Sequence, residues 1–219
     1  MSELNYVDFK YKARYYTSGH INDNTKYLCI AFHGYGQLAK YFIKDFESLG
    51  DEHITIMPEG LHHFYKEGMS GRVVASWMTK EDRLTDIENQ SNYINEVLSQ
   101  VKEEVKGKDV KIWILGFSQG VATAMRWIVN NRVDIDSAIF WAGSLPEDLE
   151  VNEVSKAFKN IKCYSVIGDK DPFFQNASLQ KQKELENKYS LDIEKLSFDG
   201  EHKVMPMVLK EIVKEQIES

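Results

Sequence analysis

Short apolar runs alternate along the chain with longer stretches in which apolar positions return every three or four residues. "KYLCIAF" (26–32), "HITIMP" (53–58), "VKIWILGF" (110–117), "SAIFWAG" (137–143) and "IKCYSVIG" (161–168) are rich in β-branched and aromatic residues and are bounded by Gly or Pro. That composition predicts buried strands. Near-continuous apolar runs of this kind suit a parallel sheet covered on both faces. "DIEKLSF" (192–198) alternates only in part and predicts a further strand. Over 83–105, Leu84, Ile87, Ile94, Leu98, Val101 and Val105 form one stripe of an amphipathic helix. "QGVATAMRWIVN" (119–130) places Ala122, Met125, Arg126 and Val129 along one line. Segments 175–189 and 206–218 predict two more helices, the last opening at Pro206, which suits a first turn.

Strands alternating with helices predict a doubly wound, mostly parallel α/β sheet with helices on both faces. Such sheets bind ligands outside the carboxyl ends of their strands. A chain of 219 residues suits one such domain, spanning 1–219.

Charge narrows the partners. With 34 acidic residues against 27 basic ones the net charge is −7, and the basic runs are short and interleaved with acids. A nucleic-acid partner, which needs a clustered basic surface, is therefore not expected. No apolar stretch approaches the ~18 residues that span a bilayer, so no stable membrane association is expected. The opening "MSELNYVDFKYK" lacks the regions of a signal peptide, and the expectation is a cytoplasmic protein. Cys29 and Cys163 each sit inside an apolar run. They read as buried thiols, with a single disulfide between them left open.

The candidate chemistry begins at Gly116-Phe117-Ser118-Gln119-Gly120, where a strand gives way to a helix. G-x-S-x-G in that context predicts a nucleophile elbow, a sharp turn that presents the Ser118 hydroxyl above the sheet. A serine nucleophile needs a base, and in this fold the order is serine, acid, histidine. Five histidines precede Ser118; only His202, in "FDGEHKVMP", follows it. The acid belongs after a strand between them, where "GDKDPFF" offers Asp169 and Asp171. The residues alone barely separate the two. Asp169, just after a glycine, is suited to closing its own turn; Asp171, deeper in the loop and before a proline, is preferred.

An oxyanion needs donors. The backbone N–H of Gln119, at a helix start, is one, and that of Tyr35 in the glycine-rich "IAFHGYGQ" is the other. His33 is expected to order that loop. His62-His63 suggests a metal, but neighbours on a strand point apart and no ligand set completes them. Neither metal nor cofactor is expected.

"AFHGYG", "GFSQGVATA", "WAGSLP", "GDKDPFF" and "GEHKV", in this order, resemble the phospholipase/carboxylesterase family of α/β-hydrolases, which includes the acyl-protein thioesterases. The resemblance spans roughly residues 27 to 210. It implies an α/β-hydrolase fold without a large lid domain, and a serine esterase with Ser118 as nucleophile, His202 as base and Asp171 as acid. It also implies oxyanion donors at Tyr35 and Gln119. The chain departs from the family pattern at Gln37, where an acidic residue is usual, near Ala39 and at Glu201, where glycine is usual, and after Trp77. The stretch 59–77 has no firm counterpart.

The expected substrate is a small ester or thioester with a short to medium acyl chain. Phe64, Tyr65, Trp77, Trp141, Leu145, Phe173, Phe174 and Met205 are candidates for an apolar acyl pocket, each also readable as plain core, and Trp77, Leu145 and Phe173 are preferred. Two other readings fit the same fold: a non-catalytic binder of a small apolar ligand, and a peptidase that turns the same residues on an amide.

Overall fold

The computed structural model describes residues 2–219. Seven strands form one sheet: β1 (Tyr15–Ser18), β2 (Tyr27–Phe32), β3 (His53–Pro58), β6 (Lys111–Phe117), β7 (Ser137–Trp141), β8 (Lys162–Gly168) and β9 (Ile193–Phe198). Their order is β1-β3-β2-β6-β7-β8-β9, and every pairing is parallel except β1 with β3. Between β3 and β6 a separate two-stranded hairpin, β4 (His62–Glu67) and β5 (Ser70–Ser76), stands apart from the sheet. The arrangement is that of an α/β-hydrolase fold, with no large lid among the described residues.

Alternate strand residues feed two cores, as the two-residue period of a strand requires. On one face Cys29, Met57, Trp113, Leu115 and Val166 pack under α1 (Ala39–Phe42), a 3-10 segment (Ile43–Leu49) and α6 (Pro206–Ile212). On the other, Ile30, Phe32, Ile114, Phe140 and Cys163 pack under α2 (Arg83–Glu104), α3 (Gln119–Asn131), α4 (Val151–Ala157) and α5 (Asn176–Tyr189). Cys29 and Cys163 therefore lie on opposite faces of the sheet. Both are free thiols, which closes the disulfide option.

The expected strands fall within a residue or two of their observed positions. β1, the hairpin, α1 and α4 were not expected. Leu84, placed on the buried stripe of α2, is exposed. α3 is buried around most of its circumference rather than along one line, because it packs on β6 and β2 while other helices cover it. The final helix gives way after Ile212 to a π turn over Val213–Ile217. Among the described residues no helix is long and apolar enough to cross a membrane.

Candidate active site

The carboxyl ends of β6, β8 and β9 bring three distant side chains into one row. Ser118 forms the turn between β6 and α3, with φ 53° and ψ −116°. A serine at positive φ is held there by its surroundings, since the conformation itself is unfavourable. Its N–H donates to Trp141 O at 2.9 Å. A Cβ on Gly116 would lie 2.6 Å from Val121 Cα, and one on Gly120 2.2 Å from Phe32 O. Strand and helix thus cross too closely for any residue but glycine.

The Ser118 hydroxyl donates to His202 Nε2 at 3.0 Å, and His202 Nδ1–H donates to Asp171 Oδ2 at 2.7 Å. Asp171 is buried; its second oxygen accepts the Phe173 N–H at 2.8 Å, which fixes the carboxylate plane. The imidazole stands between two rings, Phe117 at 5.0 Å and Phe173 at 4.7 Å. Trp141 donates its indole N–H to Lys203 O at 3.0 Å and so anchors the loop that carries the base. Asp169 accepts the Gly200 N–H at 3.1 Å, tying the acid loop to the histidine loop. The second aspartate lies in the row, and the first fastens the two loops together.

Opposite the elbow, loop 33–38 follows β2. His33 is fully buried. Its Nδ1–H donates to Gly34 O (2.8 Å), and its Nε2 accepts the Gly60 N–H (3.0 Å). Burial lowers its pKa to about 4, so the ring is neutral and its tautomer is fixed by those two bonds. Gln37 Oε1 accepts the Gly34 N–H at 2.8 Å, and the Gln37 backbone pairs with Ala75 at the base of the hairpin. The Tyr35 N–H has no hydrogen-bond acceptor among the described residues. Gln119 is the first residue of α3, where the helix itself offers its N–H no acceptor.

The hairpin, within the stretch 59–77, braces this half of the site. The Gln119 side chain bridges Ser76, Trp77 N and Met78 O, linking the elbow to the end of β5. Phe64 packs against Tyr35 with ring centroids 5.4 Å apart. His62 and His63 point to opposite sides, to Asp86 and Glu59 respectively. Among the described residues no cluster of three or more His, Cys, Asp or Glu side chains is placed to hold a metal.

Of the three residues expected in an acyl pocket, Trp77 and Leu145 are buried. Trp77 is fully buried and stacks on His33 at 4.9 Å; its indole N–H donates to His33 O at 2.8 Å. Leu145 is buried in the core under α3 to α5. Phe173 is 66% exposed and meets the His202 ring. Phe117 and Glu59 were not among the expected site residues, because their partners, His202 for the first and Arg14 and Ala39 for the second, lie far off in sequence.

The phospholipase/carboxylesterase family model matches residues 20–218. Among solved structures, the acyl-protein thioesterase 2 of Zea mays is similar over 94% of this chain and 99% of its own, at 18% identity and a TM-score of 0.68. Esterase PE8 is similar over 94% and 99%, at 16% identity and a TM-score of 0.66. A carboxylesterase of Bacillus cereus is similar over 94% and 93%, at 14% identity and a TM-score of 0.65. Identities this low carry the fold. No curated protein matches the sequence.

Proposed function

The chain belongs to the phospholipase/carboxylesterase family and is an esterase-type hydrolase; from that premise we propose that it cleaves carboxylic esters or thioesters with short to medium acyl chains through an acyl-enzyme on Ser118. The observation that carries the reading is the unbroken row from Ser118 Oγ through His202 to the buried Asp171, at 3.0 and 2.7 Å.

His202 Nε2 takes the Ser118 proton as Oγ attacks the acyl carbonyl. Asp171, accepting from Nδ1–H, stabilises the imidazolium. The N–H groups of Tyr35 and Gln119 hold the oxyanion, each worth on the order of 3 kcal/mol in sites of this kind. As the tetrahedral intermediate collapses, His202 hands its proton to the departing alcohol or thiol. Water, deprotonated by the same nitrogen, then releases the acid and restores the serine. Only a neutral imidazole can accept the Ser118 proton, so the reaction begins with His202 Nε2 unprotonated.

Phe173 beside His202, and Tyr35 with Phe64 on the oxyanion side, supply apolar surface, which supports a modest acyl group over a sugar or a charged substrate. A serine-directed phosphonate tests the reading: it labels the wild type and spares Ser118→Ala. Nitrophenyl esters of increasing chain length should be turned over fastest at short to medium acyl groups, and faster than matched amides. Absence of labelling in the wild type would favour a binder on the same fold.

A further inference from the structure

Glu59 stands just past the end of β3. It is 1% exposed and takes no part in the proposed chemistry, yet it lies behind the loop that carries Tyr35. A carboxylate this deep must be fully partnered to persist. Oε1 accepts from Arg14 Nε at 2.5 Å and lies 2.9 Å from His63 Nε2, an atom that also meets Arg14 Nη2 at 3.0 Å, and Oε2 accepts the Ala39 backbone N–H at 2.9 Å. Burial pushes the carboxyl up, and the hydrogen bonds from His63 and Arg14 together bring it below the ordinary range, so the group is ionised.

The Ala39 N–H is the telling partner. Ala39 opens α1, directly after loop 33–38, and Leu38 before it supplies no side-chain cap. Glu59 caps that helix from twenty residues away. His33, bonded to Gly60 N–H and to the Trp77 indole, holds the near end of the loop. The Gln37–Ala75 bridge holds its middle, and Glu59 holds its far end. Arg14 has a second use. A bare negative charge behind a loop that stabilises an oxyanion would oppose the reaction, and the guanidinium cancels it.

We propose that Glu59 is a positioning residue: the buried Arg14–Glu59–His63 cluster fixes the far end of loop 33–38 through Ala39 and so sets the direction of the Tyr35 N–H. This rests on the hydrolase reading. Fixing the loop matters to rate because a shift of about 1 Å in a catalytic group can cost on the order of a hundredfold.

The test compares Glu59→Leu, Glu59→Gln and Arg14→Met with wild type on a nitrophenyl butyrate, with kcat counted per serine titrated by a phosphonate. Glu59→Leu removes the acceptor and is expected to lower kcat by about 10- to 100-fold with KM within about twofold. Glu59→Gln keeps an oxygen for Ala39 N–H and restores most of the loss. Arg14→Met, at a side chain more than half exposed, lowers kcat several-fold in the same sense. Unchanged kcat per titrated site in Glu59→Leu, or in Arg14→Met where the first chain does not fold, overturns the inference while leaving the hydrolase reading intact. A wild type that neither turns over ester nor takes the label overturns both.

Discussion

The two halves of the site are built by different means. The nucleophile half, from Phe117 to Gly120 with Trp141 to Gly143 beneath it, is enforced by backbone. Ser118 N bonds Trp141 O, and any Cβ at Gly116 or Gly120 would strike main-chain atoms. The oxyanion half, loop 33–38, has one backbone bridge, from Gly36 and Gln37 to Ala75, and otherwise depends on side chains recruited from 14, 59, 63 and 77. Close backbone contact tolerates no adjustment, whereas a ring of hydrogen bonds can loosen by degrees. Damage on the first side should be all or none, and on the second it should be graded.

The largest effect tests the row itself. Asp171→Asn, which leaves the imidazole without a carboxylate to fix its tautomer, is expected to lower kcat by about 10,000-fold. Asp169→Ala removes only the bond to Gly200 N–H and should cost roughly tenfold or less, since the histidine loop keeps the Trp141–Lys203 anchor. Comparable losses in the two variants, measured by steady-state kinetics, would mean that the two aspartates share the work.

Gly120→Ala comes next. Its methyl carbon would start 2.2 Å from Phe32 O, so either β2 or α3 must move. The expected cost is about 3 kcal/mol of stability in urea melts, together with loss of phosphonate labelling. Full labelling at wild-type stability would show the elbow to be more yielding than its crossing distance implies.

Those contrasts track what the sequence could convey. G-x-S-x-G states its own geometry because the residues that clash are neighbours in the chain. The strands declared themselves through uninterrupted apolar runs, and their ends were placed closely because Gly or Pro bounds them. The hairpin did not. His62–Glu67 carries a polar or charged residue at most positions and packs over one face only, so neither period stood out. Glu59 was invisible for a related reason, since a lone acid after a strand is ordinary until Arg14 and Ala39 are seen to converge on it. The depth of Trp77 and Leu145 was not legible either, because sequence fixes their place near the strand ends and tertiary packing fixes how far they are buried.

A smaller effect probes the oxyanion half through pH. Folded His33 has a pKa near 4 where an ordinary histidine has 6.5. The folded chain therefore holds fewer protons than the unfolded one between those values, and acid favours unfolding. Stability from this group is present above pH 6.5 and is lost as pH falls toward 4, amounting to about 2 kcal/mol between pH 7 and pH 5. Asp45, raised to about 6 by burial, acts in the opposite sense. Comparison with His33→Asn cancels that contribution: the variant should lose about 2 kcal/mol less than wild type over the same interval. Equal losses would mean that His33 is already charged in the folded loop.

The smallest effect separates surface from support. Phe173 is exposed and meets the His202 ring edge-on, and its backbone N–H holds Asp171 whatever side chain it carries. Phe173→Ala should raise KM for apolar acyl groups several-fold, worth about 1 kcal/mol, with the unfolding midpoint unchanged. Trp77→Phe should do the reverse. It deletes the N–H that His33 O accepts inside the core, costing about 1–3 kcal/mol of stability and leaving KM near its wild-type value. If the Trp77 variant instead shifted KM with chain length, Trp77 would line the acyl group after all and the oxyanion half would be binding surface as well as scaffold.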